Sequence, residues 1–508
     1  MNSTATAEAT RDHLAAFDQM AVSQLGSTGL TVSQAGFGCY RIDPQVPEHG
    51  LALRQALLSG VNLIDTSSNY GDGGSEMLAG RVLAGLMQEG SLRRGQVVVV
   101  TKAGYLQGSN YAQSQERKAQ AKPWPELVEY GPNLEHCIHP EFLADQLTAS
   151  LERLGLDAVD AYLLHNPEYY LGWAAKSGMA LEQARDEYYR RIEAAFRHLE
   201  GEADAGRISF YGVSSNTFPA PDGYEEFTSL DKLWRIAGSI SKEHRFRVIE
   251  LPFNLLEPGA AAEPNQPDGK SLLSYAYDRG LGVLINRPLN AIGRNGLFRL
   301  AMSHTQAPAP APEKVIEALN ELLKSEDLLK LSLLPNLRMT PDETHQVSEY
   351  LSVAGQMLRS WQDLSGLEHW RQMEQYLTSR LNAAFAYLAR RLAESPEGLS
   401  ALDAHLGRAK AALEAVLQFY AAEADRFAGK LYEMVRGLDA DWKDAASLSR
   451  LAVRAPRSTR GVSCVLVGMR RRKYVSDVLA ELANDIPVKS RGETWRSWAR
   501  SSPDEQEA

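Results

Sequence analysis

The chain has 508 residues, with 64 acidic against 54 basic side chains, a formal net charge of −10 at neutral pH and 44% hydrophobic residues. A single core stops growing near roughly 250–300 residues, so this length calls for one large domain plus a second unit. Mild acidity gives no footing for nucleic acid or a membrane surface, no apolar run reaches the roughly 18 residues that span a bilayer, and the polar start MNSTATAEATRDH lacks a secretory pattern, so small-molecule partners and a cytoplasmic location are expected.

In chain order, residues 1–20 read as a flexible start. A hairpin is predicted at residues 22–25 and 30–33, leading into QAGFGCY, a short apolar run of strand character. Seven further runs follow, VNLIDTS, QVVVVTK, DAVDAYLLH, RISFYGVS, RFRVIEL, LGVLINR and SCVLVG, each short and rich in Val, Ile, Leu or aromatics. Runs of this kind mark parallel strands covered on both faces. Between them, EHGLALRQALLS, SEMLAGRVLAGLM, PEFLADQLTASLERLG, LEQARDEYYRRIEAAFRHLEGEADAG, LDKLWRIAGSISKEH and SLLSYAYDRG carry helical periodicity. Eight strands alternating with helices predict an α/β fold, a (β/α)8 TIM barrel with an N-terminal β-hairpin. The competing doubly wound sheet needs a Gly-rich phosphate turn after its first strand; GDGGSE at residues 71–76 is not GxGxxG and follows the second strand.

The barrel is expected to run over residues 21–296 and to resume over 446–485, with 486–508 a C-terminal tail. Residues 297–445 hold no convincing strand but long helical patterns, HWRQMEQYLTSRLNAAFAYLARRLA among them, and predict an α-helical insertion after strand 7, opened by the Pro-rich hinge QAPAPAPEK. Apolar faces such as Leu377, Leu381, Phe385 and Leu388 must be covered, so the insertion is expected to be a compact bundle serving as a lid wall or as a homo-oligomer contact. Cys39, Cys137 and Cys464 are scattered and odd in number, fit no disulfide framework or CxxC site, and are expected to be reduced and buried.

Active sites of (β/α) barrels lie at the C-terminal ends of the strands. The second strand ends at Asp65 with Tyr70 five residues on, the third at Lys102 and the fourth at His165. Singly, each has a bland explanation: a turn cap, a loop aromatic, a snorkelling lysine, a satisfied histidine. Together they converge on one mouth. HCIHP at residues 136–140 lacks further ligands at a convincing spacing, and no metal is expected.

In the contexts IDTSSNYGDGGSE, VVVVTKAG and AYLLHNPE, these four residues resemble the catalytic Asp-Tyr-Lys-His set of the aldo-keto reductases. LGSTGLTVSQAGFGCYRI, GVSSNTF, VIELPFNLLE, VLINRPLN and VLVGMRRRKYVSDVL resemble further family segments in the same order, over most of residues 20–295 and 446–485. The resemblance implies an NAD(P)H-dependent oxidoreductase that reduces an aldehyde or ketone to an alcohol, or runs the reverse reaction, sugar oxidation included. Hydride transfer leaves negative charge on the carbonyl oxygen, so a proton donor must stand beside it. Tyr70 is the expected acid–base, Lys102 and Asp65 the pair that lowers its pKa, and His165 the N–H that orients the carbonyl.

For the cofactor, the resemblance implies that Tyr40 and Arg41 flank the site with Asp65. It places Ser214, Ser215, Asn216 and Glu250 at the nicotinamide amide, Glu250 standing where many members carry Gln. Phe253 would stack on the nicotinamide, Arg287 approach the pyrophosphate, and Gly468, Arg470 and Arg471 line the adenosine end. The basic run at residues 470–473 suits a 2′-phosphate, so NADPH is expected, with NADH the alternative. A long third loop, residues 103–140, with Tyr105, Tyr111, Trp124 and Tyr130, predicts an enclosed pocket. The competing function is a non-catalytic, cofactor-binding regulatory or sensing subunit that docks through its insertion.

Overall fold

In the computed structural model, which describes residues 4–293, 296–302 and 310–502, all eight apolar runs become parallel strands of one closed barrel. Helix α1 (Ala7–Leu14) and the antiparallel hairpin β1 (Val22–Gln24) and β2 (Thr31–Ser33) come first. The barrel then takes up β3 (Ala35–Gly38), β4 (Leu63–Asp65) and β5 (Val98–Ala103), separated by α2 (Pro47–Leu58) and α3 (Gly74–Gln88). The third loop folds into its own antiparallel sheet, β6 (Tyr105–Leu106), β7 (Val128–Gly131) and β8 (Leu134–His136), with α4 (Gly108–Ala119) between β6 and β7. After α5 (Pro140–Leu154) the strands β9 (Val159–His165), β10 (Ile208–Ser214), β11 (Phe246–Pro252) and β12 (Gly282–Asn286) follow, joined by α6 (Tyr169–Lys176), α7 (Leu181–Asp204), α8 (Leu230–Ile240), α9 (Gly259–Ala262) and α10 (Leu272–Asp278).

Alternation along these strands builds the site. Leu63, Val98, Val100, Leu163, Val248 and Leu284 belong to one buried apolar cluster. Side chains on a strand alternate between faces, so the same face carries Leu63 on to Asp65, Val100 to Lys102, Leu163 to His165, Val248 to Glu250 and Leu284 to Asn286. The barrel interior is therefore apolar below and polar at the C-terminal mouth. Leu25, Leu30 and Val32 of the hairpin join the apolar layer and close its lower end. Gly26 makes that closure possible: its φ is +53°, and a Cβ there would lie 2.3 Å from the backbone nitrogen of Gly282.

The second unit, Asn290–Met434, is a separate cluster within the chain. It opens with an antiparallel hairpin, β13 (Asn290–Gly293) and β14 (Gly296–Arg299), and continues as α11 (Pro312–Leu328), α12 (Pro341–Leu351), α13 (Ala354–Ser360), α14 (Leu367–Arg391) and α15 (Pro396–Arg436). Val315, Leu319, Trp370, Leu377, Leu381, Phe385, Leu388 and Val416 share its core. The expected bounds of 297–445 shift to 290–434, because the Gly-rich hairpin reads as turn in sequence and because residues beyond 434 pack with the barrel, where Trp442 is fully buried and Arg491 bonds to Asp439 and Asp441. Of the Pro-rich hinge, residues 306–309 lie outside the described residues, and Pro312 stands in the first turn of α11.

The chain returns through α16 (Leu448–Arg457), β15 (Cys464–Val467), which pairs between β12 and β3, α17 (Arg472–Leu482) and α18 (Gly492–Ser501). Both expected tails are corrected by helices. The Thr6 hydroxyl caps α1 at Ala9 N, and Thr10 Oγ1 accepts from Thr31 N at 3.1 Å, tying the start of the chain to the hairpin. Helix α18 buries Trp495 and Trp498, and the Trp498 indole N–H donates to Leu255 O at 2.5 Å. All three cysteines are free and buried. Among the described residues no helix is long and apolar enough to cross a membrane.

Candidate active site

Four of the residues singled out in sequence meet at the mouth. Lys102 Nζ donates to Asp65 Oδ1 at 2.5 Å and to Thr66 O at 3.2 Å, and lies 5.2 Å from the centre of the Tyr70 ring. Tyr70, on the loop after β4, stands edge-on to His165 with ring centres 5.8 Å apart and to Tyr40 at 5.2 Å. The His165 ring is buried and neutral: desolvation, then the Lys102 charge, hold it well below the ordinary histidine range. Ser67 Oγ lies 3.0 Å from His165 Nδ1 and holds that edge of the ring, while the same hydroxyl donates to Asn69 Oδ1 at 2.8 Å.

The expected lowering of the Tyr70 pKa is outweighed. Burial raises it, Lys102 pulls it down, and Asp65 and Glu250 push it up again, so the hydroxyl sits above the usual tyrosine range. Lys102 is itself fully buried; desolvation disfavours its charge, but Asp65 and Glu250 outweigh that and keep it an ammonium. Glu250 Oε2 is 3.1 Å from Lys102 Nζ, and burial together with the neighbouring Glu250 lifts the Asp65 carboxyl well above the usual carboxylate range against the pull of Lys102.

The cofactor candidates divide into two groups. Ser214 Oγ, Glu250 Oε2 and Asn286 Oδ1 are buried polar atoms without a hydrogen-bond partner, at the ends of the adjacent strands β10, β11 and β12. Buried polar groups are rarely left unpaired, and this set offers a hydroxyl donor and carbonyl-type acceptors to an amide. Asn286, whose Nδ2 donates to Glu250 Oε1 at 3.0 Å, escaped the sequence reading although it lies two residues beyond inward-facing Leu284. Tyr40 and Arg41 are exposed after β3, and the Arg41 guanidinium lies 5.5 Å from the centre of the Tyr40 ring.

The second group does not meet these atoms. Ser215 Oγ is taken up by Thr217 and Thr228, and the Asn216 amide N–H donates to Glu168 Oε1 at 2.8 Å. Phe253 is fully buried with its ring 4.6 Å from Trp495, centre to centre. It lies one residue beyond the end of β11, and this packing is where the structure places the ring expected to stack on the nicotinamide. Arg287 adopts φ +50° and donates to Glu257 Oε1 at 2.8 Å. Gly468, half-buried Arg470 and exposed Arg471 lie between β15 and α17, where the Arg472 backbone N–H is capped by Glu48 Oε1 at 2.9 Å.

The third-loop sheet reaches the same mouth. His136 Nε2 donates to the His165 carbonyl at 2.7 Å, and the Tyr105 ring stands edge-on to His165 at 4.8 Å. Gly104 permits this approach, because a Cβ there would lie 2.4 Å from His165 O and 2.6 Å from His136 Nε2. His139 Nδ1 accepts from Glu141 N and caps α5. Glu168 is buried just beyond His165, and desolvation lifts its carboxyl to about 7. Ser67 and Glu168 gave no sequence signal beyond their proximity to Asp65 and His165.

A closed eight-stranded barrel with Asp, Tyr, Lys and His at its C-terminal mouth defines a carbonyl-reducing class of oxidoreductase, and the comparisons with known proteins agree. Over residues 37–330 the chain matches the Aldo/keto reductase family; it belongs to that family and is an NAD(P)H-dependent oxidoreductase. It is 32% identical over 318 residues to the NADH-specific methylglyoxal reductase of Escherichia coli K12, covering 60% of this chain and 78% of that one. L-galactose dehydrogenase of Arabidopsis thaliana is 30% identical over 151 residues, 28% of this chain and 38% of that one. A crystal structure of an aldo/keto reductase from Klebsiella pneumoniae with NADP and acetate aligns over 94% of each chain at 14% identity and a TM-score of 0.41.

Proposed function

We propose that the protein reduces a small aldehyde or ketone to the alcohol, and runs the reverse oxidation, with Tyr70 as general acid and base. The observation that carries this reading is the convergence of Tyr70, Lys102, Asp65 and His165 on one mouth, next to the unpaired buried polar atoms Ser214 Oγ on β10 and Asn286 Oδ1 on β12. The nicotinamide, when bound, supplies or accepts the hydride.

Everything else falls to the chain's own groups. Ser214, Glu250 and Asn286 are the atoms that would hold the nicotinamide amide, and Arg470 and Arg471 those that would meet a 2′-phosphate. The neutral His165 ring N–H orients the carbonyl and stabilises charge on its oxygen. Tyr70 delivers its proton to that oxygen while Lys102, fixed by Asp65, stabilises the phenolate left behind. The rings of Tyr40 and Tyr105 flank Tyr70 and His165 and favour a compact carbonyl substrate. The methylglyoxal activity of the Escherichia coli relative makes a small oxo-aldehyde the first substrate to try.

The test is oxidation of NADPH and of NADH by purified protein, followed by absorbance, with methylglyoxal and a panel of aldehydes, ketones and sugars. Turnover with at least one carbonyl is expected. Tight cofactor binding with no turnover across the panel would move the reading to a sensing or regulatory subunit.

A further inference from the structure

Residues 104–109 follow β5 directly and touch both partners of the proposed proton transfer. On one side they lie against His165. The Tyr105 ring stands edge-on to the His165 ring at 4.8 Å, and Gly104 packs so closely that a Cβ there would lie 2.4 Å from His165 O. Strand β8 braces this side: Tyr105 pairs with His136, whose Nε2 donates to His165 O at 2.7 Å, and Asn166 Nδ2 donates to the Tyr105 hydroxyl at 2.8 Å.

On the other side the same segment grips the loop that carries Tyr70. Asn69 Nδ2 donates to Gln107 Oε1 at 3.2 Å, and Asp72 Oδ1 accepts from Ser109 N at 3.0 Å and from Ser109 Oγ at 2.7 Å. These contacts bracket Tyr70 in sequence, one before it and one after. Helix α4 gives the reason for the second. The first turn of a helix leaves backbone N–H groups unpaired, and the N-cap of α4, Gln107, supplies no side-chain acceptor to them. Asp72 supplies it from the Tyr70 loop. The fit is close: Asp72 adopts φ +53° and Gly108 φ +55°, and a Cβ on Gly108 would lie 2.6 Å from Asp72 Oδ1.

Such a contact matters through position more than through stability. Asp72 and Ser109 are exposed, and exposed polar contacts add little to folding. A misplacement of about 1 Å between reacting groups, by contrast, can cost roughly a hundredfold in rate. We propose that residues 104–109 form a strut that sets the separation of Tyr70 from His165, and that Asp72 is the positioning residue that fastens this strut to the Tyr70 loop. The inference rests on the reading of Tyr70 as acid–base and of His165 as orienter.

The test is steady-state reduction by the full chain carrying Asp72→Ala, with whichever carbonyl of the panel above the wild type turns over fastest. The turnover number kcat should fall about tenfold, while the cofactor Kd and the melting temperature stay near wild type. Asp72→Asn keeps an acceptor oxygen, and asparagine caps a helix about as well as aspartate, so its kcat should stay within about twofold of wild type. Gly108→Ala attacks the same contact from the strut and should lower kcat by a similar factor. Combined with Asp72→Ala its loss should not add, because both changes break one contact. A wild-type kcat in Asp72→Ala, an equal loss in Asp72→Asn, or a loss of cofactor affinity as large as the loss in kcat would each overturn the proposal. Tyr70→Phe separates the failures: if it is inactive while Asp72→Ala behaves as wild type, only this inference falls, and if it stays active the reading of Tyr70 falls with it.

Discussion

Tyr70, Lys102, Asp65 and His165 were legible because each stands at or just beyond the end of an apolar run, where a barrel strand delivers its last inward side chain to the mouth. Removing only the phenol oxygen with Tyr70→Phe should lower carbonyl turnover by a factor on the order of 10² or more while cofactor Kd stays near wild type, measured by steady-state kinetics and fluorescence titration. Near-normal turnover would rule out the proposed acid. Asn286 and Phe253 show where single-residue reading fails. Two-residue alternation places Glu250 inward and carries Leu284 to Asn286, whereas Phe253 lies past the end of β11 and was named on family likeness alone. The cofactor's adenosine end has its own test: Arg470→Ala should weaken NADPH about ten- to a hundredfold in Kd and leave NADH nearly unchanged, since a charge-assisted bond to the 2′-phosphate is worth roughly 1.5–3 kcal/mol. Equal losses for both would show that this arginine does not read the phosphate.

At the scale of elements, the strands and long helices were visible in sequence while the short pieces were not. Helix α1 buries only Thr10 and Leu14, too few positions to show a period, and α18 is held by two tryptophans whose partners lie far away in sequence. Trp495 packs between Phe253 at 4.6 Å and Trp442 at 5.3 Å and donates to Thr459 Oγ1 at 3.0 Å. Trp495→Ala should therefore cost about 3–5 kcal/mol in urea unfolding, and Trp495→Phe, which loses the hydrogen bond but keeps a ring, distinctly less. The third-loop sheet carries a pH signature. Burial holds His136 down to about 4, against 6.5 for a free histidine, so the fold keeps the ring neutral where an unfolded chain would take up a proton. Its contribution is complete above pH 6.5 and is lost as pH falls from there toward about 4, on the order of 3 kcal/mol in all. Relative to wild type, His136→Gln should gain stability across that window as the medium is acidified. Parallel unfolding curves for the two proteins at every pH would exclude the histidine as the source.

For the whole molecule, the sequence marked the second unit by the change from alternating strands and helices to uninterrupted helical periodicity. It misplaced the edges because a Gly-containing hairpin looks like turn and because residues after 434 hold helical pattern while packing with the barrel. Each unit has its own buried core: Leu63, Val98, Val100, Leu163 and Val248 in the barrel, and Leu319, Trp370, Leu381, Leu388 and Val416 in the insertion. Separate cores make independent folding the expectation, since neither needs the other's apolar surface to exclude water. Replacing Asn290–Met434 with a Gly/Ser linker should leave a barrel that melts cooperatively, binds NAD(P)H with affinity close to that of the full chain and loses helical signal in circular dichroism. The proposed service of this unit as a substrate wall or oligomer contact requires one further change, in the substrate profile or in the mass in solution. A shortened chain identical to the full one in both would leave the insertion without either role, and one that failed to fold would show that the two cores are not independent.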